Sequence, residues 1–90
     1  MSPAYDVRLL LEVMSALREL PREVEAELQR AAHACALDVG RGHAPLALSF
    51  PVHATTWRGL AHYELDPLAR VLRVTQLVPS PPSPSGRGSG

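Results

Sequence analysis

The run from Trp57 to Asp66 alternates between two kinds of side chain, and this period of two constrains the chain more than any other feature. Trp57, Gly59, Ala61, Tyr63 and Leu65 fall on one side, and Arg58, His62, Glu64 and Asp66 on the other, with Leu60 the one apolar residue among the polar set. Side chains of a strand point alternately to its two faces, so the pattern predicts a strand with one buried and one wet face. The alternation stops at Asp66-Pro67, where Pro presets φ and the Asp carboxylate can bond its own backbone, as a turn requires. Beyond it, Val71, Leu72, Val74, Thr75, Leu77 and Val78 suit a more fully covered strand. A helix is the rival for this second half, with Asp66 as N-cap, Pro67 as first helical residue and Leu68, Val71, Leu72 and Thr75 as its stripe. The β-branched side chains of Val71, Val74, Thr75 and Val78 weigh against it, because they lose χ1 freedom in a helix.

Upstream, Tyr5, Val7 and Leu9 alternate with Asp6 and Arg8, a short strand signal. From Leu10 the period lengthens: Leu10, Val13, Met14, Leu17 and Leu20 recur at three and four, the mark of an amphipathic helix. Pro21 stops it and can open a second helix, where Glu23, Glu25 and Glu27 favour the positive helix end. Its expected inner stripe is Val24, Leu28, Ala31, Cys35 and Val39, with Gly40 placed to end it. After a loop at residues 41–45, Leu46, Leu48 and Phe50 predict a strand closed by Pro51, and His53-Ala54-Thr55 a connection. The expected order is β-α-α-β-β-β: an α+β domain with a helical hairpin on one face of a small, mainly antiparallel sheet, the first strand joining the same sheet. Tyr5, Val7, Leu17, Leu28, Trp57 and Tyr63 are expected among its buried residues.

Ninety residues make one domain, expected over residues 1–78. Residues 79–90 hold only Pro, Ser, Gly and one Arg, a composition that predicts a disordered tail. No apolar run is long enough to cross a membrane, no signal peptide is read, and the lone Cys35 cannot form an internal disulfide, so a cytoplasmic protein is expected. Cys35 itself reads as a small core residue. Residues 1–40 carry four Arg against seven acids and residues 41–90 five Arg against two, with no Lys in the chain. An acidic helical half therefore adjoins a weakly basic sheet half.

The order β-α-α-β-β-β resembles the RelE/ParE superfamily of bacterial toxin–antitoxin toxins. So do the helix junction Leu17-Arg18-Glu19-Leu20-Pro21-Arg22-Glu23-Val24 and the hairpin Trp57-Arg58 … Tyr63-Glu64-Leu65-Asp66 … Val71-Leu72-Arg73-Val74. The similarity covers about residues 4–78. It implies one of two activities: RelE-type members cleave messenger RNA on the ribosome, and ParE-type members poison DNA gyrase. Both are neutralised by a cognate antitoxin that packs over the toxin. For the nuclease branch the resemblance carries over Arg58, the third-strand arginine that stabilises charge on the scissile phosphate. The chain departs from that branch in two places. The family's basic, Gly-containing loop is replaced by Phe50-Pro51-Val52-His53-Ala54-Thr55, and the basic or aromatic residues after the fourth strand by Val78-Pro79-Ser80-Pro81. From these departures, weak or lost nuclease activity is expected.

Metal-independent RNA cleavage needs a base, an acid and positive charge at the phosphorane. Arg58, His62 and Glu64 share one face of their strand and are the candidate catalytic residues, the bland alternative being charged side chains on a wet sheet face. No metal-ligand spacing and no phosphate loop is present in the sequence, so no cofactor is expected. Apolar residues beyond the core stripes mark candidate partner-binding positions: Leu9, Leu11 and Val13 beside the first helix, and Leu60, Leu72 and Val74 on the sheet. A cognate antitoxin or a homodimer is the expected occupant; the alternative class is a non-enzymatic interaction module on the same fold.

Overall fold

The computed structural model describes residues 4–43 and 47–80. The elements follow the order β1 (Asp6–Leu9), α1 (Leu11–Arg18), α2 (Arg22–Gly40), β2 (Ser49–His53), β3 (Arg58–Asp66) and β4 (Val71–Pro79). The four strands form one sheet in the order β1-β4-β3-β2, with β1 parallel to β4 and the other pairs antiparallel. Both helices pack on one face of it. The protein is thus an α+β domain, and residues 66–71 form a hairpin turn rather than a helix start. In that turn the Ala69 amide donates to Asp66 Oδ1 at 3.1 Å. Arg70 takes the left-handed φ of 55° that closes it, its guanidinium lying 4.8 Å from the Tyr5 ring centre.

The core is built from Val13 and Leu17 of α1, Val24, Leu28, Ala32 and Ala36 of α2, and Phe50, Val52, Ala61, Tyr63, Leu72 and Val74 of the sheet. Tyr5, Val7 and Trp57 are only half-buried against it. The inner stripe of α2 differs from the expected one: Ala32 and Ala36 are buried, while Ala31 and Cys35 flank the core. Spacing of four from Val24 through Leu28 continues to these alanines, whose small side chains let the helix approach the sheet. The helix does end at Gly40, as expected. Gly42, with φ of +91°, makes the reversal.

β2 begins three residues later than expected and carries Pro51 at its centre, with Leu48 51% exposed just ahead of it. Leu46 lies outside the described residues. Pro51 is tolerated because of its side of the ladder. The Tyr63 amide donates to the Leu48 carbonyl and the Ala54 amide to the Trp57 carbonyl, so alternate residues 49, 51 and 53 turn their backbone groups to the free edge. A missing N–H there breaks no bond. At the other end, β4 runs to Pro79, and the Ser80 amide donates to the Arg58 carbonyl at 2.9 Å. The domain therefore extends past residue 78; the remaining tail, 81–90, lies outside the described residues.

One irregularity sets the faces of β4. Tyr63 pairs with Val74, but His62 pairs with Gln76, leaving Thr75 as an extra residue whose hydroxyl donates to the His62 carbonyl at 3.3 Å. This bulge flips the alternation. Leu72 and Val74 face the helices before it and Leu77 after it, while Gln76 and Val78 turn to the uncovered side.

Candidate functional site: the uncovered sheet face

Among the described residues no helix covers the second face of the sheet, and the strand registers define its side-chain rows. At one end His53 lies beside Arg58. Next come Pro51, Leu60 and Val78, then Ser49, His62 and Gln76. Beyond these are Glu64 with Arg73 and Arg8, and last Asp66 with Val71 and Asp6. The three predicted catalytic residues thus share this face. They do not converge. Four residues of strand separate Arg58 from His62, about 13 Å of backbone, and His62 and Glu64 are about 7 Å apart. Glu64 is engaged by Arg73 at 3.7 Å, in a pair that is largely solvent-exposed. Between Arg58 and His62 stands Leu60, 40% exposed. An acid and a base acting on one phosphate must both come within hydrogen-bond reach of its atoms, and about 13 Å of strand sets Arg58 apart from the His62–Glu64 couple.

A second polar couple on the face is one that residue patterns do not single out. His53 and Arg58 form a close, non-hydrogen-bonded cross-strand pair, adjacent to the bonded Ala54–Trp57 pair. An expected strand end at Pro51 puts His53 in a connection, whereas the strand continues through it. The alternation of buried Phe50 and Val52 with outward Pro51 and His53 is the signal that reveals this. Arg58 is also held by what lies behind it. Gly59 on the covered side has the Trp57 indole folded over it, so that a Cβ there would fall on Trp57 Cη2 and on the Val78 carbonyl oxygen. The turn preceding Arg58 is tied to the helical layer, since Glu23 Oε2 accepts from the Thr56 amide at 2.9 Å and from its hydroxyl at 3.2 Å.

The predicted partner-binding residues divide. Leu11 is 70% exposed on α1 and Leu60 lies on the uncovered face, while Leu9 is half-buried. Val13, Leu72 and Val74 are buried core residues and offer nothing to a partner. For Leu72 and Val74 the correction is one of face: their registers with Leu65 and Tyr63 place them under the helices. In their place the row Pro51–Leu60–Val78 forms an apolar bar across three strands of the uncovered face.

Clefts lie on the helical side. One of about 390 Å³ runs between α1 and the bulged part of β4, lined by Glu12, Val13, Ala16, Thr75, Gln76 and Leu77. Another, of about 500 Å³, separates α2 from β2 and includes Cys35, Asp38, His43 and Phe50. Neither is lined by Arg58, His62 or Glu64. Tyr63, a neighbour of the cleft residues Cys35 and Phe50, has a buried Oη with no hydrogen-bond partner among the described residues. Burial pushes the Tyr63 phenol well above its ordinary pKa, and the neighbouring Cys35 thiol adds to the rise. Among the described residues no three His, Cys, Asp or Glu side chains group as a metal site would, and no helix is long and apolar enough to cross a membrane. In comparisons with known proteins, no family model, curated protein or solved structure matched the chain.

Proposed function

We propose that this chain is a RelE/ParE-like toxin component of a toxin–antitoxin module, acting in the cytoplasm, whose ribosome-dependent messenger RNA cleavage is weak or lost. Two things support the reading: the element order β-α-α-β-β-β shared with that superfamily, and a sheet face left open with Arg58 on it. The observation that carries the loss of activity is the separation of Arg58, His62 and Glu64 along β3, with Glu64 engaged by Arg73. Arg58 with His53 can still clamp a phosphate, but no acid–base couple flanks it.

A non-enzymatic interaction module, whether a gyrase inhibitor or an assembly partner held by an antitoxin, is the second reading. The Pro51–Leu60–Val78 bar favours it, because apolar side chains there suit a protein surface better than a phosphate backbone. Induced expression in a bacterium separates the two. The proposed function predicts little or no RNA cleavage and a correspondingly weak or absent growth arrest. Strong cleavage at ribosomal positions, abolished by Arg58→Ala, refutes the loss of nuclease chemistry. DNA damage without RNA cleavage, lost in Leu60→Ser, selects the gyrase-type module.

A further inference from the structure

The two edges of the sheet are not equivalent. At the β2 edge the outward backbone positions are Ser49, Pro51 and His53, and the proline interrupts the row of donors that an added strand would need. Among the described residues nothing plays that part at the β1 edge. The Asp6 amide donates to the Arg70 carbonyl and the Leu10 amide to the Val74 carbonyl. Residues 6, 8 and 10 therefore face β4, and alternation turns the N–H and C=O groups of Val7 and Leu9 outward. The Tyr5 amide is already used, donating to the Ala36 carbonyl at 3.1 Å. The open edge is thus short, with Val7 at its centre, and the exposed side chains flanking Val7 on the uncovered face are one acid, Asp6, and one base, Arg8.

We propose that the protein forms a two-fold dimer by antiparallel pairing of β1 with β1 of a second copy, centred on Val7, to give one continuous sheet. Only residues with outward backbone groups can pair across such an edge, which leaves a few registers. Centring on Arg8 sets Arg8 against its own copy, and centring between Tyr5 and Val7 sets Asp6 against its own copy; both oppose like charges. Centring on Val7 exchanges two backbone bonds between the two Val7 residues and places Asp6 opposite Arg8 of the second copy, twice by symmetry. The strand is self-complementary in that register alone. Because the dyad stands perpendicular to the sheet, the uncovered faces of both copies lie on the same side, which doubles the surface described above.

Sedimentation equilibrium at high micromolar concentration tests the proposal, and a dimer is the expected result. Asp6→Arg and Arg8→Asp each replace two attractive cross-strand pairs by repulsive ones, and each variant alone should dimerise at least about tenfold more weakly. Both residues are exposed, so unchanged circular dichroism spectra are expected. An equimolar mixture of the two variants should recover the dimer. The arginine introduced in one copy then meets the aspartate introduced in the other, and the native Arg8 and Asp6 meet at the second pair. Amide exchange should slow with concentration at Val7 and Leu9 and not at Ser49 or His53. A wild-type monomer, a dimer that both variants leave intact, a mixture that fails to recover, or protection at Ser49 and His53 would each overturn it.

Discussion

The two faces of β3 belong to one strand yet answer to different physics. On the covered side, Gly59, Ala61 and Tyr63 grow in size along the strand to fit what lies over them: an indole at Gly59, and the helical layer and Phe50 at Tyr63. On the uncovered side, Arg58, Leu60, His62 and Glu64 touch mainly their cross-strand neighbours. Substitutions on the first face should therefore be read out as stability, and on the second as binding or activity with little change in stability. The difference matters for function, because a protein can alter its open face without refolding.

Leu72→Ala should sharpen the contrast most. Leu72 is fully buried, and removing a core leucine costs about 2–5 kcal/mol in chemical denaturation. An unaltered midpoint would mean that Leu72 faces solvent and that the faces of β4 are reversed. Gly59→Ala comes next: the new methyl must displace the Trp57 ring or the Val78 carbonyl, an overpacking of about 1–3 kcal/mol, visible also as a shift in tryptophan fluorescence. Tyr63→Phe should have a smaller effect of opposite sign at neutral pH, up to about 1 kcal/mol more stable, because the hydroxyl it removes has no partner. It should also change the alkaline limb. The Tyr63 phenol is raised in the fold, whereas a tyrosine in the unfolded chain ionises at about pH 10. Its contribution is therefore present below that pH and lost as pH rises above it, so the wild type should weaken more steeply than Tyr63→Phe in alkaline solution. Smallest of all, Glu64→Gln on the uncovered face should alter stability by less than about 0.5 kcal/mol, since its ion pair with Arg73 is exposed. A larger loss would show that the uncovered face is structural after all.

Much of this arrangement was legible from residue patterns. The alternation from Trp57 to Leu65 placed both faces of β3, and the β-branched run after Asp66-Pro67 chose a strand over a helix. Local patterns failed where a tertiary feature changed the rule. Pro51 reads as a strand end, yet sits in a strand because its missing N–H faces the free edge. Leu72 and Val74 read as surface candidates because a period of two does not say which side of a sheet the helices will cover. The Thr75 bulge then reverses the sides for the rest of the strand, which no simple alternation anticipates. The site was half legible for the same reason. A shared face followed from spacing, but convergence depends on cross-strand neighbours, and these brought His53 to Arg58 and Arg73 to Glu64.

The parallel pairing of Asp6–Leu9 with Val71–Val74 carries a consequence for how the chain matures during synthesis. Of the described strands β1 is made first, and it must wait for β4, made last, before it gains its neighbour within the chain. Until then α1 lacks β4, the strand it packs on, and the helical hairpin can only hover over an unfinished floor. Closure over so long a loop makes the final step slow and cooperative. A nascent chain halted before Val71 would hold β3 with one flank unpaired and its apolar face uncovered, a species prone to association or to capture by a chaperone.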